Sequence, residues 1–124
     1  MSPITTVELS EVLRTYLGAW NTDDVEERDA MLRRCVTDDV AFIDPIKQLI
    51  GRDELLAHIA ETRATYPEIT FEPAGEADHH NHVLRQPWVA RIDGRVVLRG
   101  IDVDDVSPDG RLTRIVGFFD RATE

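Results

Sequence analysis

The stretch DGRVVLRGIDVDDVSPDGRL, residues 93–112, decides the fold class. It opens on Asp93-Gly94, a two-residue hairpin signal, and closes on Ser107-Pro108-Asp109-Gly110, a second turn. Between them Arg95–Val106 is long and rich in β-branched residues. The sequence therefore predicts a strand hairpinned on both sides to antiparallel neighbours, one ending near Ile92 and one over residues 111–119. If that strand is regular, Val96, Leu98, Gly100, Asp102 and Asp104 share one face, and Arg99, Ile101 and Val103 share the other. A bulge at Gly100 would exchange the two faces.

Upstream of this meander the signals change. The run over 82–92 is interrupted by Pro87, which predicts a bulge or an edge, and it is preceded by a polar turn over 78–81 and a short Ile69/Phe71 strand. The first half reads as helices. Thr5 and Glu8 form a capping box ahead of Leu9, Val12, Leu13, Tyr16, Leu17 and Trp20 at helical spacing. Asn21-Thr22-Asp23 breaks that helix and caps a second, through about Cys35, with Val25, Met31, Leu32 and Cys35 toward a core. This helix is expected to end near residues 37–39 and to be followed by a strand over 40–44. After a short loop to Gly51, a third helix over Arg52–Thr65 carries Leu55, Leu56, Ile59 and Ala60 as its apolar stripe. Three helices, an early strand and a closing meander specify an α+β fold. The expectation is a cone-shaped, curved, mainly antiparallel (mixed) sheet wrapped around the three N-terminal-half helices, with an internal apolar pocket, as one domain over 1–124.

Composition narrows the function classes. The 124 residues are 42% hydrophobic, enough for one core and one lined cavity, and 24 acidic against 14 basic residues give a formal net charge of −10. That charge disfavours nucleic acid and anionic lipid surfaces as partners. No secretory signal or spanning helix is read in the first twenty residues, so a cytoplasmic protein is expected. The single cysteine, Cys35, sits among apolar neighbours as a structural thiol. His79, His80 and His82 fall in the polar turn, with only His80 and His82 sharing a strand face and no further ligand spaced to complete a metal site. His58 stands open between surface and cavity. Phosphate-binding and serine-hydrolase motifs are absent, and no metal or organic cofactor is expected.

Carboxylates placed by periodicity on apolar faces carry the chemistry, because an ionised side chain out of water is costly unless it is paired or used. Asp44 continues the Val40/Phe42 face just before Pro45. An Asp-Pro step also lets a carboxylate satisfy its own loop amides, and both readings stand. Asp102 either faces inward or pairs with Arg99 or Arg114 on a solvated face. Tyr16, within the stripe of the first helix, either finds an internal partner for its hydroxyl or carries it to the surface.

These residues together resemble the nuclear transport factor two-like superfamily, in its SnoaL-like and steroid Δ-isomerase-like branch. The resemblance spans residues 7–120 and rests on YLGAWNTDD from Tyr16, DDVAFIDP from Asp38, GRDEL from Gly51 and GIDVDDVSPDGRL from Gly100. It implies Asp44 as a general base and Tyr16, spaced from Asn21 as in that family, as a hydrogen-bond donor. Asp102, nine residues before Arg111, would be a second, unionised donor of the kind known in ketosteroid isomerase. The reaction implied is movement of a proton α to a carbonyl of a small hydrophobic compound, without a cofactor. Trp20, Phe42, Trp88 and Phe119 are the expected pocket lining, by periodicity and by the corresponding family positions. The resemblance also implies a homodimer through the outer sheet face around Arg99, Ile101 and Val103.

The chain departs from the steroid isomerases at Ile59, where some of them carry a tyrosine supporting the donor tyrosine. Arg91-Ile92-Asp93 is similar to the Arg-x-Asp motif of limonene-type epoxide hydrolases, but Asp93-Gly94 reads as the hairpin turn and Gly117 stands where a second Asp is expected. Two other functions stay open: a polyketide cyclase of the SnoaL type, and a non-catalytic ligand carrier or dimeric scaffold of the same fold.

Overall fold

The computed structural model describes residues 5–120, and the outer ends of the expected 1–124 domain lie outside them. The capping box is formed: Thr5 Oγ1 accepts from the Glu8 amide at 3.1 Å, and Glu8 Oε1 accepts from the Thr5 amide at 2.9 Å. Helix α1 (Thr6–Trp20) follows, then α2 (Val25–Cys35), capped by Asp24. Val25 is 61% exposed, contrary to expectation. Its place in the core side of α2 is taken by Arg28, whose guanidinium donates to the Thr22 and Asp23 carbonyls at 2.9 and 3.3 Å and so holds the turn from α1. A buried cation is tolerated there because carbonyl acceptors replace its water.

Strand β1 (Val36–Ile43) begins directly at the end of α2, four residues earlier than expected, with a register irregularity between Val36 and Ala41. The expected loop to Gly51 holds a short strand, β2 (Gln48–Ile50), paired with β1. Helix α3 (Arg52–Thr65) buries Leu55 and Ile59, while Ala60 is exposed. Arg63 is buried in its last turn. Then come β3 (Thr70–Pro73), β4 (Asp78–His80), β5 (Val83–Ile92), β6 (Arg95–Val106) and β7 (Leu112–Phe119). Part of the expected polar turn is thus strand β4, and His80 and His82 flank its hairpin turn at Asn81 rather than sharing a strand.

The sheet is mixed and unclosed, in the order β2-β1-β7-β6-β5-β3 with β4 also on β5, and only β1 and β7 run parallel. Pro87 sits within β5 where β4 ends and β3 begins. Its carbonyl accepts from the Ala74 amide at 2.9 Å, so its missing N–H faces the same broken edge, where no ladder bond is lost. The extra residue of the β5–β6 ladder lies at Val97, between the Ala90–Leu98 and Arg91–Val96 pairs, and not at Gly100. Asp102 and Asp104 therefore keep a common face.

The main core joins all three helices to the sheet, through Leu13, Leu32, Leu55, Ile59, Val40, Leu112 and Ile115 among others. A smaller cluster of Ile69, Trp88 and Ala90, with Phe71, Leu98 and Phe119 against it, forms a second wall. Among the described residues no helix is long and apolar enough to cross a membrane.

Candidate active site

A cavity of about 480 Å³ draws its lining from both clusters, and all seven side chains singled out in the sequence border it. Tyr16 and Trp20 come from successive turns of α1, Phe42 from β1, Asp44 from the residue after that strand, Trp88 from β5, Asp102 from β6 and Phe119 from β7. Among the described residues no arginine or lysine lines it. Aromatic edges hold the walls in place, with Trp20 5.2 Å from Phe71 and Trp88 5.9 Å from Phe71 and 6.0 Å from Phe119, centroid to centroid.

Two polar clamps fix the end of α1 that carries Trp20. Asn21 donates through Nδ2 to the Phe71 carbonyl at 2.8 Å and accepts the Phe71 amide on Oδ1 at 2.7 Å, pinning the helix to β3. Arg63 bridges to Asp23 at 2.8 Å and donates to the carbonyls of Trp20, Ile69 and Pro67. The apolar stripe of α3 gave no hint of Arg63, because its burial depends on carbonyls that only the folded chain gathers.

The topology brings the two acids together. Ile43 pairs with Val116 and Asp102 with Gly117 on three adjacent strands, so Asp44, Gly117 and Asp102 form a row across β1, β7 and β6. A Cβ on Gly117 would stand 3.2 Å from Asp102 Oδ1 and 3.3 Å from Asp44 Cβ, tighter than ordinary packing. Glycine is what lets the carboxyls approach across the sheet. Asp44 satisfies both readings of the Asp-Pro step: Oδ1 accepts the Ile46 and Lys47 amides, each at 2.8 Å, while the residue borders the cavity.

Asp102 faces inward rather than pairing with an arginine. Its Oδ1 accepts the Trp88 ring N–H at 3.0 Å. Burial pushes its pKa up to about 7, with the Trp88 bond opposing and the nearby Asp44 charge adding to the rise. Tyr16 is buried, and its pKa is raised by burial first and then by Asp102 and Asp104, so its hydroxyl stays protonated as a donor. Ile59 is fully buried and supplies no hydrogen bond.

Two further polar groups belong to this neighbourhood. Asp104, 0% exposed, shares the inner face with Asp102, and neither of its oxygens makes a hydrogen bond of normal geometry. Burial and the charges of Asp102 and Asp105 raise its pKa well above the carboxylate range, and the Val116 amide offsets only part of this. Strand parity placed Asp104 beside Asp102, which was the available signal. His58 borders the cavity, with its ring 5.5 Å from both Trp20 and Phe42. Burial lowers its pKa, the Asp44 charge partly opposing. Cys35 is buried, with its thiol pushed up to about 12 by burial, as suits a structural residue. Asp93 occupies the hairpin turn at φ 52°. Among the described residues no group of three or more His, Cys, Asp or Glu could hold a metal ion.

The SnoaL-like domain family matches residues 13–115. A SnoaL-like family protein from Agrobacterium tumefaciens, provisionally described as an isomerase, is similar in structure with a TM-score of 0.87 and 31% identity, over 93% of this chain and 99% of that one. A SnoaL-like protein of unknown function from Burkholderia thailandensis superposes with a TM-score of 0.76 at 18% identity, over 96% of this chain and 100% of its own. A protein from Jannaschia sp. CCS1, provisionally described as a SnoaL-like polyketide cyclase, gives a TM-score of 0.75 at 16% identity, over 97% of this chain and 90% of its own. The last two establish the shared fold alone. No functionally curated protein matches the sequence.

Proposed function

From the premise that the chain belongs to the SnoaL-like family, we propose that it is a cofactor-independent isomerase that moves a proton α to a carbonyl of a small, uncharged, hydrophobic substrate. The observation that carries this reading is the row Asp44–Gly117–Asp102 at the edge of an apolar cavity. Asp44 Oδ2, the oxygen not engaged by the loop amides, removes the proton. Charge then develops on the carbonyl oxygen, where the Tyr16 hydroxyl and protonated Asp102 donate hydrogen bonds. An oxyanion gains more from such donors in a dry site than in water. The mostly apolar and aromatic lining, with the acids Asp44 and Asp102 at one side, fits an uncharged substrate better than an anionic one.

The provisional isomerase description of the Agrobacterium relative supports the same reaction class. A cyclase reading uses the same first step, with the enolate carbon attacking a second carbonyl of the same molecule. It is the reaction named in the provisional description of the Jannaschia protein, which shares the fold, and the product distinguishes the two. The test is the conversion of a bicyclic β,γ-unsaturated ketone to its conjugated isomer, followed by absorbance. Asp44→Asn is expected to lower the rate by roughly 10³-fold, within the range for a positioned general base. Undiminished turnover in that variant removes Asp44 from the role.

A further inference from the structure

Resting on that reading, we infer that Trp88 is a positioning residue of the site: its indole N–H holds Asp102 Oδ1, which leaves Oδ2 to carry the acid's proton and donate it to the oxyanion. Strand register brings the two side chains together. Trp88 pairs with Gly100 and Gln86 with Asp102, so Trp88 and Asp102 are diagonal neighbours across β5 and β6. Their contact runs over Gly100. A Cβ there would stand 2.7 Å from Trp88 Cε2 and closer still to Cζ2, so only glycine leaves room for the indole to lie across β6. The ring ends with Nε1 3.0 Å from Asp102 Oδ1, and Phe71 and Phe119 pack against it at 63° and 90°. Those contacts fix its orientation.

The chemistry of a carboxyl group gives this contact its consequence. An ionised carboxylate accepts on both oxygens, whereas a protonated one donates from one oxygen and accepts best on the other. A proton on Oδ1 would weaken the bond from the indole, because the hydroxyl oxygen of an acid is a poorer acceptor than its carbonyl oxygen. Trp88 thus makes the proton on Oδ2 the stable placement. The same bond has a second effect on Asp102. Burial resists its ionisation most, the Trp88 bond favours ionisation, and the charge of Asp44 at the end of β1 resists it. Asp104 on the same strand and Tyr16 on α1 feel the Asp102 charge in turn. Removing the indole N–H should therefore do two opposite things: let Asp102 keep its proton to higher pH, and leave that proton undirected.

Trp88→Phe removes the N–H and keeps an aromatic ring against Phe71 and Phe119. Its preference for 1-naphthol over the matching ketone, 1-tetralone, should fall about ten-fold in mildly acidic buffer, the size of one lost hydrogen bond. The pH above which that preference fades should move up, which a residue that merely packs would leave unchanged. Both changes are required, and a folded variant showing neither or only one of them overturns the inference. A second measurement needs no variant to fold. The chain has two tryptophans, and in wild-type protein one indole N–H resonance should titrate with a midpoint of about 7. Two indole resonances that stay fixed through that midpoint overturn the inference. These readouts rest on binding and titration, so a wild-type protein that turns over no ketone removes the isomerase reading, while the Trp88–Asp102 assignment stands or falls on them alone.

Discussion

Asp44 at the end of β1 and Asp104 near the end of β6 are both acids brought to the interior, yet the backbone treats them oppositely. The loop after β1 turns two amides onto Asp44 Oδ1 and so meets the needs of an anionic oxygen. Around Asp104, β6 has spent its amides on the ladders to β5 and β7, and Asp104 is left with no donor of normal geometry. Asp102, two residues away, lies between these extremes with one donor from Trp88 and one side toward the cavity. Hydrogen-bond supply, more than position along the strand, separates an acid fit to accept a proton from acids fit to keep one.

The largest consequence for stability is a dependence on pH. Asp102 has a pKa of about 7 in the folded protein against an ordinary value of 3.8, and Asp104 is raised as well. The folded state therefore binds more protons than the unfolded chain above about pH 4. Stability is fully present below that value and falls as pH rises through about 7, by at most about 4 kcal/mol from Asp102, less what cavity water returns. Urea unfolding at pH 5, 6, 7 and 8 should show this decline, and Asp102→Asn should flatten it. A wild-type stability that rises over the same range would break the contrast between the two regions.

A smaller effect sharpens it. Replacing the partnerless acid by an apolar, strand-favouring side chain, Asp104→Val, should raise the unfolding free energy by roughly 1–3 kcal/mol, the usual cost of an unsatisfied buried polar group. Denaturant titration reads it directly. A loss of stability in this variant would mean that Asp104 finds a partner in solution.

Much of this arrangement was legible in the sequence wherever local chemistry decides. Asp93-Gly94 adopts positive φ at both residues, 52° and 76°, as a tight hairpin demands, and Thr5 with Glu8 caps α1 by a purely local exchange. Local pattern misleads where distant partners decide. Thr37-Asp38-Asp39 is polar and reads as a break, but β1 starts before it because Val36 pairs with Leu112 across the sheet. Val25 yields to Arg28 because carbonyls from another turn accept the guanidinium. In the site, alternation along β6 placed Asp102 and Asp104 inward together, while His58 stayed ambiguous because its surroundings depend on how α3 packs against β1. The closeness of Asp44 to Asp102 depends on Gly117, whose missing side chain carries meaning only once three strands are aligned.

In the proposed reaction Tyr16 and Asp102 hold an oxyanion opposite Asp44. The most direct measurement is the affinity of the purified protein for 1-naphthol compared with that for 1-tetralone, a ketone on the same carbon frame, by titration calorimetry. A site built for developing negative oxygen should bind the naphthol at least about 100-fold more tightly, and Tyr16→Phe should erase most of the difference. Equal affinity for the two compounds in the wild-type protein would mean that Tyr16 and Asp102 form no oxyanion site.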